Sequence, residues 1–416
     1  MAGTDEMILF NNNLTYTLPV PSSVVVNKCK KRSYFQNRSY ASQQTMVATL
    51  NSGSDFIDLA NSSLVIRIKF STTNVDPLNC SFGKGSAMNI VENLRLYHRS
   101  GTQYTNTQKM NAYRVIEDHN CESENWFKTV GKNMGYGQAA GAMSGVFGNN
   151  QTFVIPLNKL HNFFAPHGGV MLPPQMASGL RVEIDSATIG NLCVESGLEG
   201  FSAPTDYTVE DIYFDLDSVT LMDSCQASIN SNSQRRALEY LYSDIFTSRS
   251  STPSNSSAIN VDINKSVAYA EKVFAVIQTN SKQNTTAQDS YVTPYKAGNW
   301  WFQLGSLQYP SNQKIDNDKV AYADNLMAWN KMKGKCGERG ETELTYDDFK
   351  LYYGIYATSL ELDTSIALSG MPVTSSRTLR LEASLDAPLA DDSTTLVFMT
   401  YLSSARSTLT SSRVDI

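Results

Sequence analysis

Gly179-Leu-Arg-Val-Glu-Ile-Asp185 and Thr378-Leu-Arg-Leu-Glu-Ala-Ser384 carry one pattern twice. Each opens on a turn and continues Leu-Arg-apolar-Glu. That alternation has the period of a β-strand with one face buried. In each half a last apolar strand follows, Ile212 to Leu221 and Thr395 to Leu402, and an early one precedes, Leu64 to Phe70 and Val273 to Ile277. Solenoid repeats recur every ~20–50 residues, whereas these recur after roughly 200, so whole domains are repeated.

Outward from these strands the chain divides into five parts. Residues 1–43 are expected to form an extended N-terminal arm holding the β-branched run Val24 to Val26 and the cations Lys28, Lys30, Lys31, Arg32 and Arg38. Residues 44–225 make the first domain. Thr45 to Leu50 and Phe56 to Leu59 flank the turn Asn51–Ser54, Ile90 to Tyr97 and Phe153 to Leu157 are further strands, and Thr107 to His119 is a short helix. Pro156 marks an edge strand or a strand end. Six glycines between Gly131 and Asn150 predict a long loop.

Residues 226–258 are expected to be a helix and linker. Leu238, Leu241, Tyr242 and Ile245 recur at three and four, which predicts a helix over Asn232 to Phe246. Ser248 to Ser257 is rich in Ser and Pro and predicts a hinge. Residues 259–405 make the second domain, with strands at Val261 to Ile263, Trp300 to Leu307 and Thr378 to Leu385 and helices at Lys319 to Lys331 and Thr345 to Tyr353. Residues 406–416 are a tail.

The 416 residues are 41% apolar and 18% charged, with abundant Asn, Ser and Thr between the apolar runs. That is the composition of a turn-rich all-β protein. A net charge of −6 argues against wrapping nucleic acid, which needs dense Lys and Arg. The six cysteines are far apart, as suits reduced thiols. No segment has the length of a secretory leader or membrane span.

Little catalytic chemistry stands out. Gly131 to Gly141 lacks the spacing of a phosphate loop. His119 with Cys121, and His161 with His167, do not assemble a metal motif, so no metal or cofactor is expected. Asp215 and Asp217 share a strand face as a glycosidase dyad does, yet alternation sends polar residues outward anyway. Trp126, Trp300, Trp301 and Trp329 raise a carbohydrate-binding sandwich, against which stands the ordinary burial of large rings. No catalytic residue is assigned.

Many short strands with long insertions predict β-sandwiches. Eight-stranded jelly rolls suit halves of this size, and two unrelated sandwiches stay open. The chain also resembles a family. Phe56-Ile-Asp-Leu-Ala-Asn-Ser-Ser-Leu-Val-Ile-Arg-Ile-Lys-Phe70, Val154-Ile-Pro-Leu-Asn-Lys-Leu160, Leu172-Pro-Pro-Gln-Met-Ala-Ser-Gly-Leu-Arg-Val-Glu-Ile-Asp185, Trp301-Phe-Gln-Leu-Gly305 with Tyr309-Pro310, and Leu368-Ser-Gly370 followed by Arg377 to Leu381 occur in the order found in double jelly-roll major capsid proteins. These belong to virophages, polinton-like viruses and larger DNA-virus relatives.

The resemblance implies an all-β fold of two eight-stranded jelly rolls side by side, with a few short helices in insertions and at the junction. It implies a non-enzymatic shell protein, assembled in the host cell, whose homotrimers tile an icosahedral virion. Penton and minor capsid proteins would be partners, and there is no small-molecule substrate. For the basic cluster of the arm two readings stay open: Lys28, Lys30, Lys31, Arg32 and Arg38 meet an internal membrane, the genome or an acidic partner on the inner face, or they are a solvated charge run that keeps the arm soluble.

Overall fold

A computed structural model describes residues 25–71, 81–137, 150–167, 171–193, 204–227, 229, 238–280, 297–309, 345–347, 355–361, 369–407 and 414–415. In the first half the strands are β1 (Val25–Tyr34), β2 (Ser39–Ala41), β3 (Thr45–Thr49), β4 (Phe56–Ser71), β5 (Val91–Tyr97), β6 (Gln103–Gln108), β7 (Asn150–Pro156), β8 (Met171–Leu172), β9 (Arg181–Ser186) and β10 (Asp206–Leu221). In the second they are β11 (Leu238–Thr252), β12 (Ala258–Ile263), β13 (Val267–Thr279), β14 (Ala297–Leu304), β15 (Leu307–Tyr309), β16 (Tyr356–Ser359), β17 (Met371–Val373), β18 (Leu379–Leu385), β19 (Ser393–Ser407) and β20 (Val414–Asp415).

The repeated pattern behaves as its alternation predicts. Val182 and Ile184 of β9 are buried, as are Leu379, Leu381, Ala383 and Leu385 of β18, while Arg181 and Arg380 face solvent. Gly179 makes the preceding turn at φ +85, where a Cβ would also lie 2.7 Å from Cβ of Arg99. Only glycine meets both demands cheaply.

Each half is a pair of antiparallel sheets around a shared core. In the first, β1-β10-β4-β7 faces β3-β9-β5-β6; in the second, β11-β19-β13-β16 faces β12-β18-β14-β15. Replacing β1, β10, β4 and β7 by β11, β19, β13 and β16, and β3, β9, β5 and β6 by β12, β18, β14 and β15, turns one half into the other. Two four-stranded sheets in this order form a jelly roll. The repeated Leu-Arg-apolar-Glu strands take equivalent places, as do the early strands in β4 and β13 and the last strands in β10 and β19.

Several expectations need correction. Residues 25–41 are not all arm: β1 pairs with β10 from Val25 to Tyr34, and β2 pairs with it at Ser39–Ala41. The helix expected over Asn232–Phe246 is a strand from Leu238 onward, paired with β19 over its whole length. Tyr240, Tyr242 and Asp244 are buried at every second position, the period of a strand face, and Tyr240 and Tyr242 join the core of the first roll. Ser248–Thr252 belongs to that strand and faces Val397–Ser393. The expected hinge is therefore bonded sheet, and the second roll begins within the segment read as helix and linker. At the tail, β20 folds back on β19 at Arg406 and Ser407.

The helix read at Thr107 starts at Met110, because β6 runs to Gln108 and Lys109 breaks the strand in a left-handed conformation (φ 52). We label Met110–Cys121 α1. The expected helix at Lys319–Lys331 lies outside the described residues, as do most of Thr345–Tyr353 and residues 138–149 of the glycine-rich segment. Among the described residues no helix is long and apolar enough to cross a membrane.

Candidate functional site

Two surfaces stand out, the joint between the rolls and the outer face of the first sheet. The joint starts from Val273-Phe-Ala-Val-Ile277, an apolar run with no polar interruption. Such a run suits a strand covered on both faces. Val273, Ala275 and Ile277 enter the core of the second roll, while Phe274 and Val276 join the core of the first. In β19, Val397 and Met399 turn one way and Leu396 and Phe398 the other. The outer face of the second roll is therefore a wall of the first roll's core.

Helix α1, in the insertion between β6 and β7, fills that wall. Every residue from Met110 to Asn120 is buried, so it has a neighbour all round. Tyr113 packs 5.6 Å from Phe274 and 5.8 Å from Phe398, whose rings stack on each other at 5.1 Å. Beside it, Phe163 sits 5.1 Å from Tyr240 and 5.0 Å from Tyr242. The Tyr240 hydroxyl donates to the Phe163 carbonyl at 2.5 Å, and that of Tyr242 to the Tyr104 carbonyl at 2.9 Å.

Charges are buried with these rings. Glu117 accepts from Arg114 at 2.6 Å and from Tyr113 at 2.8 Å, and Lys272 of the second roll stands 3.9 Å away. Burial pushes the Glu117 carboxyl up, but the Arg114 and Lys272 charges outweigh it and hold it below the usual range. Burial lowers the Lys272 ammonium. Lys159 reaches Asp118 at 2.7 Å and Glu122 at 2.5 Å, and those charges raise it against the effect of burial. Asp244 accepts from Thr105 and from Tyr401, each at 2.5 Å, and burial raises its carboxyl. His161 lies 3.7 Å from Asp244, and burial pushes it down to about 3.

On the first roll the equivalent outer face is polar. Lys28 bridges Asp58 at 2.8 Å and Asp217 at 3.1 Å, and Lys30 meets Asp215 at 3.1 Å. Arg32 lies over the Tyr213 ring at 4.8 Å. Lys31 turns to the other side of β1 and meets Asp55 at 2.6 Å. Arg38 and Arg67 share Asp211, at 3.0 and 3.4 Å. The five cations singled out in the sequence thus sit on β1 and the turn after it. Four face carboxylates of their own roll and one an aromatic ring.

The other residues singled out do not converge on a catalytic arrangement. Asp215 and Asp217 are the partners of Lys30 and Lys28. His119 contacts the Lys84 carbonyl at 2.6 Å and His167 the Ser243 hydroxyl at 3.0 Å. Trp300 is buried in the second core, and Trp126 packs on Phe127 and Tyr136. Among the described residues no three His, Cys, Asp or Glu side chains are grouped to hold a metal. Sequence reasoning missed the joint, although the uninterrupted run at Val273 carried its signal.

No protein-family model matches the sequence, and no curated protein matches it. Solved structures do match in shape. The PBCV-1 protein VP54, fitted into a reconstruction of the virophage Sputnik, superposes with a TM-score of 0.62 at 11% identity, over 96% of this chain and 99% of that one. The capsid of PBCV-1 virus gives 0.63 at 12% identity, over 95% and 98%. The Faustovirus major capsid protein gives 0.59 at 8% identity, over 91% and 90%. Along nearly its whole length, the chain has the two-roll fold of these viral capsid structures.

Proposed function

We propose that the protein is a structural capsid protein, not an enzyme, whose homotrimers tile an icosahedral virion shell. The observation that carries this reading is the rigid joint between two rolls of identical strand order. It makes one chain a double wall unit, so three copies present six similar rolls and imitate sixfold symmetry. The likeness to capsid structures supports the same reading. Its work is burial and geometry: trimer contacts of the obligate kind cover on the order of 2,000–5,000 Å².

Penton and minor capsid proteins are the further partners in this reading, and the virion is its location. Lys28, Lys30, Lys31, Arg32 and Arg38 are read here as wall contacts. A membrane or genome would have to displace the carboxylates and the ring they already face.

Light scattering on the purified protein should give three times the 46.0 kDa chain mass, and electron microscopy should show hexagonal tiles. A monomer that binds or cleaves polysaccharide would overturn the reading.

A further inference from the structure

Strands β13 and β19 pair from Thr279 and Ser393 as far as Ala270 and Tyr401, and there they part. At the parting, Val267 and Ala270 of β13 are held from the other side by Val373 and Met371 of β17. Gly370, just before β17, lies so close that a Cβ there would sit 2.7 Å from the Ala270 carbonyl oxygen. On β19 the side that β13 leaves stays open from Leu402 to Ala405, and β20 takes it again at Arg406 and Ser407. Among the described residues those four have a strand partner on the β11 side alone. An open strand side presents amide and carbonyl groups that an added strand satisfies.

The open stretch lines a cleft of about 680 Å³ between the rolls, a size and place usual for binding sites. The opposite wall is β6, also an edge strand. There the Tyr242 and Thr247 hydroxyls already donate to the Tyr104 and Gln108 carbonyls, so β19 keeps the more open side. Charge in the cleft is one-sided. Asp244 has both oxygens engaged, Oδ1 by Thr105 and the Ile245 amide, Oδ2 by Tyr401. Lys265 lies 5.5 Å from the Tyr401 ring and 6.0 Å from that of Phe246, and among the described residues it makes no ion pair. Lys28, Lys31 and Lys159, by contrast, each meet a carboxylate at 2.8 Å or less.

We propose that this cleft receives an extended acidic segment of a partner protein, which adds to β19 beside Leu402–Ala405 and sets a carboxylate against Lys265. β20 shows that the same side of β19 accepts an added strand. In this mode main-chain bonds supply affinity and side chains supply selectivity. A small anion would use Lys265 and leave the open groups of β19 unmet. The cleft belongs to a single chain, so its use does not depend on trimers or a shell.

Short random peptides displayed on phage are selected on the full chain, and the enriched ones are synthesised. An Asp or Glu among alternating β-forming residues is expected. Lys265→Glu should weaken these peptides about tenfold or more, and a peptide with Lys in place of its acid should regain binding to that variant. Ala268→Trp, at an exposed position of the lining, fills the cleft and should abolish binding. Both variants should melt as wild type does. Methylating alternate peptide amides should abolish binding in one phase and spare it in the other, because only every second amide faces β19. Failure to enrich any peptide overturns the site, as do peptides indifferent to both variants and to methylation. If adenosine monophosphate binds wild type and no peptide does, the cleft takes small anions and strand addition is wrong. None of these outcomes alters the mass or the tiles by which the shell reading is tested.

Discussion

The outer sheet face of the first roll and that of the second are built from equivalent strands and opposite chemistry. On the first, Lys28, Lys30 and Arg32 alternate along β1 and reach diagonally across to Asp217, Asp215 and Tyr213 of β10. On the second, Phe274, Val276, Leu396 and Phe398 are covered by the first roll. Strand order alone does not say which face becomes permanent interior. Side-chain composition does, because only an apolar face gains from lasting removal from water. Where the side chains are charged, burial gains little and the face stays open to water.

The largest effect should come from emptying the covered face. Phe398→Ala removes a ring that touches both Phe274 and Tyr113, and should cost about 3–5 kcal/mol, read as a lower midpoint in urea unfolding. A loss under about 1 kcal/mol would mean that the covered face is not packed as core. Charge burial comes next. Glu117→Gln removes the carboxylate that stands between Arg114 and Lys272 and should cost about 3 kcal/mol. Lys272→Met takes away the more distant of those two cations, at 3.9 Å against 2.6 Å for Arg114, and should cost less than Glu117→Gln. Equal losses in the two variants would show that Lys272, rather than Arg114, is the main partner of the buried carboxylate.

Acid should act on the covered face first. His161 has a folded pKa of about 3 against an ordinary 6.5, so between those values the unfolded chain binds a proton that the folded one refuses. Its contribution is present above pH 6.5 and is lost as pH falls toward 3. Asp244, raised by burial, pulls the other way, since the folded state takes up its proton more readily. His161→Gln should flatten the fall in melting temperature between pH 6.5 and 4; an unchanged slope would assign it to other groups. The smallest effect belongs to the open face. Lys30→Ala breaks an exposed ion pair with Asp215 and should change stability by less than about 1 kcal/mol. A larger loss in thermal unfolding would mean that this ladder holds the roll together.

Legibility followed the same division. β9, β10 and β18 were readable because one face is wet and the other dry, which writes alternation into the chain. β1 was not, because almost none of its residues is buried, and a strand with two wet faces has no alternation to read. β11 failed for the opposite reason. With neighbours on both faces, Leu238, Leu241, Tyr242 and Ile245 are all apolar or aromatic, and their spacing mimics a helix. The five cations were visible as a cluster, but their partners Asp55, Asp58, Asp211, Asp215 and Asp217 come from distant positions.

Alone, the amino-acid order determined that the chain is β-rich, that it repeats once, and which strands correspond between the halves. Those are local or periodic properties, set by how each side chain partitions between water and core. The tertiary structure decided that β13 is covered on both sides, that α1 lies between the rolls, and that Glu117 stands beside Lys272. These depend on which surfaces meet after the strands have formed, and a pairing between residues so far apart in sequence leaves no periodic trace in it.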